Sequence, residues 1–201
     1  MSQITSDTEI CNLALQRIGE TTITSLGQGT EVARRCKIAY PQARDAMLRG
    51  HFWNFAVKRS TLALSTETPD WEYTYKHVLP DDFLRLVRTN IDTPSASANN
   101  EFHDGQPDYR LESGFIVSND ATVKIEYVFR QEDISKYDDL FIDALIARMS
   151  AELAAASKKS MTGVQGLWEV AERKLREART ADSQEGVPRS FEASIWVNSR
   201  L

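Results

Sequence analysis

Three runs decide how this chain reads: Asn12-Leu13-Ala14-Leu15-Gln16-Arg17-Ile18-Gly19, Tyr40-Pro41-Gln42-Ala43-Arg44-Asp45 and His51-Phe52-Trp53-Asn54-Phe55-Ala56. In the first, Ile10, Leu13, Ala14 and Ile18 recur at helical spacing, and Gly19 is placed to take the left-handed conformation that stops a helix. Upstream, Ser6-Asp7-Thr8-Glu9 is a capping box, in which the serine hydroxyl and the glutamate each satisfy an orphan amide. The second run lies in a longer helix that starts near Thr30 and ends at Gly50. Its stripe is Val32, Cys36, Ala39 or Tyr40, Ala43 and Met47, with Glu31, Arg34, Arg35, Lys37, Arg44 and Arg49 off it. Pro41 removes the bond to the Lys37 carbonyl, so a kink or a break is expected there. The third run is an aromatic knot, Phe52-Trp53-Phe55, expected to lock the second helix to a bundle.

Outward from this stretch the period changes. Trp71, Tyr73 and Tyr75 alternate with polar residues, as do Val123, Ile125, Tyr127 and Phe129, the signature of half-buried strands. Residues 83–88 read as a further strand. Glu112-Ser113-Gly114 reads as a turn between strands at 109–111 and 115–117, and residues 93–100 as a polar loop. Helices return after Asp138, a candidate N-cap, with Phe141, Leu145, Met149, Leu153 and Ala156 in one stripe. Val164, Leu167, Trp168, Ala171, Leu175 and Ala178 mark a fourth helix. The expected fold is therefore α+β: a bundle of about four helices (1–65 and 132–184), an inserted small antiparallel β module (66–131) and an extended C-terminal arm (185–201). The arm holds Gly186, Pro188 and several serines, yet also Phe191, Ile195, Trp196 and Leu201. So apolar a segment either folds back on its own core or docks on a neighbour.

Composition narrows the functions open to such a chain. It has 201 residues, 41% hydrophobic and 26% charged, with a net charge of −5. That charge gives no general attraction for nucleic acid or acidic lipid. No apolar run approaches the ~18 residues of a membrane span, and the N-terminus has no signal-peptide pattern, so folding in a cytoplasm is expected. Cys11 and Cys36 read as free buried thiols, with a disulfide between the first two helices as the alternative.

No motif for chemistry stands out. His51, His77 and His103 lie near neither cysteine, no metal spacing exists, and no metal or cofactor is expected. Asp81-Asp82 and Asp138-Asp139 are adjacent acids, where a glycosidase needs two acids across a sugar. Turns and helix caps want aspartate at both places. Gly27-Gln28-Gly29-Thr30 ahead of a helix reads as an inter-helix turn or an anion site. Arg34, Arg35 and Lys37, with Arg44, Arg49, Lys58 and Arg59 beyond, concentrate positive charge in the first third of an acidic chain. They read as a solvated helix face, or as a patch meeting an acidic subunit or lining a channel near DNA.

Taken in order, the glycine-stopped run Asn12–Gly19, the Tyr40–Leu48 helix, Phe52-Trp53-Asn54-Phe55-Ala56 and the closing Arg59-Ser60-Thr61-Leu62-Ala63 resemble the podophage head-to-tail adaptor family, also called tail tubular protein A. The resemblance covers residues 7 to 64, with weaker agreement in the last two helices. Leu79-Pro80-Asp81-Asp82-Phe83 looks like a step of that family's β module. The resemblance implies a virion protein of the tail, assembled in the host cytoplasm as a dodecameric ring between portal protein and tail nozzle protein. DNA would pass through the ring without sequence-specific binding, no membrane would be involved, and no catalytic residue carries over. The competing expectation is a tail-associated hydrolase acting on cell-surface polysaccharide or peptidoglycan. A head-completion or chaperone-like protein is a third.

Overall fold

The chain enters its first helix, α1 (Asp7–Arg17), through the expected capping box: the Ser6 hydroxyl accepts from the Glu9 amide, and the Glu9 carboxylate accepts from the Ser6 amide. The computed structural model describes residues 4–91, 109–157 and 160–185. Gly19 leaves α1 at φ +69°, and the Gly19 and Glu20 amides return to the carbonyls of Gln16 and Leu15. That is a Schellman stop, which a residue with a Cβ would strain.

Helix α2 (Glu31–Arg49) begins at the Thr30 cap and runs through Pro41 without a break. The proline ring lies on the exposed face, as does Lys37, so the orphaned carbonyl can bond water. The buried stripe is Ala33, Cys36, Tyr40, Ala43, Met47 and Leu48, and it takes in Arg44 as well. Arg44 was expected off the stripe but is 8% exposed. Its guanidinium is tied to Asp45 at 2.8 Å and Glu132 at 3.5 Å, and Asp45 also holds Arg130 at 2.8 Å. A buried arginine persists only with such partners.

After α2 the chain turns through a short 3-10 segment (Asn54–Ala56) into strands β1 (Val57–Thr61) and β2 (Ala63–Leu64). Strands therefore begin ahead of residue 66. They continue as β3 (Tyr75–Val78), β4 (Phe83–Thr89), β5 (Tyr109–Glu112), β6 (Phe115–Ser118) and β7 (Lys124–Phe129). Two antiparallel sheets result, one ordered β1-β7-β4 and the other β2-β3-β6-β5. The β5–β6 hairpin turns at Ser113 (φ 46°) and Gly114 (φ 85°), the two positive φ values of a type I′ turn. The expected strand at Trp71–Tyr75 is mostly loop, and only Tyr75 joins β3. Glu72 has φ 68°, which extended backbone does not allow, and Trp71 is 75% exposed.

Alternation along β7 shows how the layers stack. Ile125, Tyr127 and Phe129 face the second sheet, in a core with Leu62, Ile91, Ile116 and Val123. Val128 faces the other way, into the helical core, alongside Leu84 with Val57 and Val87. Helices thus cover one half of the first sheet, and the second sheet covers its opposite face. Helix α3 (Asp139–Ala156) starts at the expected Asp138 cap, which accepts from the Leu140 and Phe141 amides. It is buried on nearly every side because α1, α2 and α4 (Met161–Glu185) all pack on it. The protein is thus an α+β fold with four helices and antiparallel sheets among the described residues. Cys11 and Cys36 are buried and unbridged. No helix among the described residues is long and apolar enough to cross a membrane. The expected loop at 93–100 and the arm beyond Glu185 lie outside the described residues.

Asp143 on α3 ties the bundle together, accepting from Arg17 of α1 at 2.6 Å and from Lys174 of α4. Burial works against its charge, but the bonds from Lys174 and Arg17 outweigh that and hold its carboxyl below the ordinary 3.8. A folded pKa depressed in this way contributes stability above the unfolded value, and the contribution is lost as pH falls through the folded one. The carboxylate is 37% exposed, so screening limits the effect; exposed pairs are worth about 0.2–1 kcal/mol. Asp143→Asn is expected to lower the unfolding free energy from urea titration by that modest amount at neutral pH. The gap from wild type should close as pH drops below the carboxylate range. A gap constant with pH would mean that packing, and not the ion pairs, carries the loss.

Candidate functional site

The first sheet is longer than the helices that cover it. Past Val57 and Val128, the face that packs on the bundle continues into solvent as Arg59 and Thr61 on β1, Glu126 and Lys124 on β7, and Arg88 on β4. Register explains the row: Arg59 pairs with Glu126, which also pairs with Arg88 across β7. Irregularities in the β4 register between Phe83 and Arg85 and between Leu86 and Arg88 keep Leu84 and Val87 toward the bundle while bringing Arg88 beside Glu126. Glu126 is held between the two guanidiniums, Arg59 at 3.6 Å and Arg88 closer still. Lys124 is exposed. The result is a shallow groove lined by Arg59, Thr61, Arg88, Asn90, Lys124 and Glu126, three cations around one carboxylate. At the bundle end of this face Arg85 stacks over the half-exposed Phe52 ring, 4.3 Å from its centroid.

The outward face of the second sheet has the opposite character. Its outward residues include Lys76, Arg110, Glu112, Phe115 and Val117, and the loop 65–74 folds across them. This surface carries Glu67, Asp70, Glu72 and Glu112 against two cations, with Lys76 bound to Glu67 at 2.8 Å and Arg110 near Glu72 at 3.8 Å. Trp71 stands out of the loop. The loop backbone is pinned where it returns to the sheet: the Ser65 amide bonds the Lys76 carbonyl, the Tyr73 amide bonds the Trp71 carbonyl, and the Thr74 amide and hydroxyl both donate to Asn119 Oδ1.

The residues singled out from sequence fall elsewhere. Arg34 and Arg35 lie on α2 and share Glu31, at 2.5 and 3.1 Å, and Arg35 also donates to the Ala156 carbonyl. Lys37 is exposed beside them. Glu31 thus offsets part of that cluster, as Glu126 offsets part of the sheet face, and each surface keeps three cations around one carboxylate. Of the sheet face's members only Arg59 stood in the basic run read from sequence. Arg88 and Lys124 are far away in the chain, and only strand pairing brings them to Arg59. The signal was present as outward positions of alternating strands, once β1 is recognised as a strand.

One acid of each adjacent pair has a structural partner. Asp82 accepts from the Tyr127 hydroxyl at 3.0 Å and from Lys58, and Asp138 caps α3. Thr30 accepts from the Ala33 amide and so caps α2 with its own side chain, with Glu31 in the first turn, which leaves the Gly27–Thr30 turn a poor anion site. His51 bonds Asp182 at 2.9 Å, and His77 is buried against the Asp120 carbonyl at 3.0 Å. No group of three or more His, Cys, Asp or Glu among the described residues could hold a metal ion. Phe191, Ile195, Trp196 and Leu201, read as partner-binding, lie outside the described residues. No family model matches the chain, and no curated protein matches it.

Proposed function

We propose that this chain is a structural virion protein, a head-to-tail adaptor that forms a ring between the portal protein and the tail nozzle protein of a short-tailed phage. The observation that carries the reading is the continuity of residues 7–64. The glycine-stopped α1, the long α2, the aromatic knot and the start of β1 contribute to one core around α3, in the order that resembles the adaptor family. Trp53 sits at its centre and is fully buried. In this reading the chain forms a homo-oligomer, dodecameric by the resemblance, and DNA passes through the ring without sequence-specific contacts. The arm beyond residue 185 then docks on a neighbouring subunit or the portal through Phe191, Ile195, Trp196 and Leu201. The hydrolase alternative would need convergent free carboxylates, and the adjacent acids Asp82 and Asp138 are taken up by a tyrosine, a lysine and a helix cap.

The test is to mix the chain with the portal protein of the same genome and examine the product by sedimentation and negative-stain microscopy. A ring of this chain stacked on the portal is the expected result. Absence of any complex at micromolar concentration overturns the adaptor reading, and release of sugars or peptides from purified cell wall by the isolated chain establishes the hydrolase.

A further inference from the structure

We propose that copies of this chain join head to tail through the two outer faces of the β layer. The acidic face of one copy, bearing Trp71, seats on the cationic groove of the next. The inference deepens the ring reading and rests on it for the closure of the assembly, although the contact itself needs no portal.

Three observations carry it. First, the two faces are opposite in charge and opposite in direction. Arg59, Arg88 and Lys124 surround Glu126 on one outer face, and Glu67, Asp70, Glu72 and Glu112 outnumber Lys76 and Arg110 on the other. The two sheets that carry them share the buried core between. Lys124, Asp70 and Glu112 make no ion pair among the described residues, which leaves them free to pair across a contact. Second, Trp71 is 75% exposed, on a loop held by its own backbone bonds and by Asn119. A large aromatic presented on a pre-ordered loop is how a contact obtains a central anchor at low entropic cost. Third, Glu72 next to it is a non-glycine residue at φ 68°. Backbone held in that region is disfavoured for a residue with a Cβ, and it sits directly beside the exposed Trp71.

The partner surface fits the anchor. An indole face attracts a guanidinium, and the groove offers Arg59 and Arg88 on either side of Glu126. Symmetry then follows from the charges. An isologous pair would set like charge against like at either face, whereas a head-to-tail contact matches opposite charges and repeats. Repetition of such a contact gives a closed ring when the rotation closes.

The decisive experiment uses two charge-reversed chains. Arg59→Glu with Lys124→Glu makes both faces acidic, and Asp70→Lys with Glu112→Lys makes both faces basic. All four side chains are exposed, so melting temperatures close to wild type serve as the folding control. Wild type is expected to self-associate in low salt by analytical ultracentrifugation, and added salt should weaken the association. Each reversed chain alone should stay monomeric, and an equimolar mixture of the two should associate again, since every contact then pairs opposite charges. Trp71→Ala should weaken wild-type association by about tenfold or more.

A monomeric wild type, a mixture that fails to associate, or reversed chains that associate like wild type overturns the contact. Reversed chains that still form rings on the portal overturn this contact and leave the adaptor reading standing. Head-to-tail oligomers that never bind portal do the opposite.

Discussion

Trp53→Ala is expected to lower the stability of the isolated chain by about 3–5 kcal/mol, the range for truncating a fully buried tryptophan. Trp53 is 0% exposed. Its ring meets Phe141 edge-on at 4.9 Å, His51 at 4.7 Å and Phe55 in a stacked arrangement at 5.8 Å, and its Nε1 donates to the Met47 carbonyl at 2.9 Å. That one side chain joins the end of α2, the entry to the β layer and the first turn of α3. Alanine leaves a cavity among rings that other residues hold in place: Phe55, Tyr137 and Phe141 also contact one another, and the Tyr137 hydroxyl is tied to the Gln131 carbonyl. The surroundings therefore collapse little, and the loss should fall in the upper part of the range. Domains of this size are stable by about 5–15 kcal/mol, so the variant should show a much lower denaturant midpoint and reduced yield. Phe52→Ala, at the half-exposed neighbour that stacks on Arg85, should cost far less. Equal midpoints for the two variants would mean that Trp53 does not anchor the core.

The knot was legible in sequence because its parts are contiguous, and so were the caps. Ser6 with Glu9, Gly19 and Asp138 act on residues within one helical turn, and local chemistry determines them. The alternation at 123–129 was legible for the same reason, since each face of β7 meets a different apolar core. Misreadings came where a distant partner decides. Arg44 looks like surface until Asp45, Glu132 and Arg130 are assembled around it. The Trp71–Tyr75 alternation imitates a strand, but no strand among the described residues pairs with 71–74, and Glu72 takes a positive φ. Val57–Thr61 has the opposite problem. Lys58-Arg59-Ser60-Thr61 falls inside the span expected as helical bundle (1–65), yet it is part of an edge strand registered against β7 from Val57 to Thr61. Missing that strand concealed the cationic face, because Arg59 meets Glu126, Arg88 and Lys124 only through the ladder. The charged face was thus written in the sequence at outward strand positions, but in three segments whose proximity depends on pairing.

The second large effect is expected at Asp182, which had no signal in the sequence. It is an acid in the last turns of α4, where the helix dipole disfavours negative charge, so a tertiary reason must hold it there. The reason is the segment after α2. Asp182 is 7% exposed; its carboxylate accepts from the Asn54 amide and bonds His51 Nε2, both at 2.9 Å. In return the Asn54 side chain donates to the Asp182 carbonyl at 2.8 Å. Three hydrogen bonds close a reciprocal clasp between α4 and the aromatic knot. Hydrogen bonds to a charged group contribute about 1.5–3 kcal/mol each, and a buried amide left without its acceptor adds a desolvation penalty. Asp182→Ala is therefore expected to destabilise by roughly 2–4 kcal/mol, less than Trp53→Ala because little apolar volume is removed. A double-mutant cycle with His51→Ala isolates the pair. The two losses should fall short of additivity by about 0.5–3 kcal/mol, as they do for residues in one hydrogen-bond network. Strict additivity would show that Asp182 acts through the Asn54 amide alone. A neutral Asp182→Ala would show that α4 is held by Ala171 and Ala178 against α3 and needs no clasp.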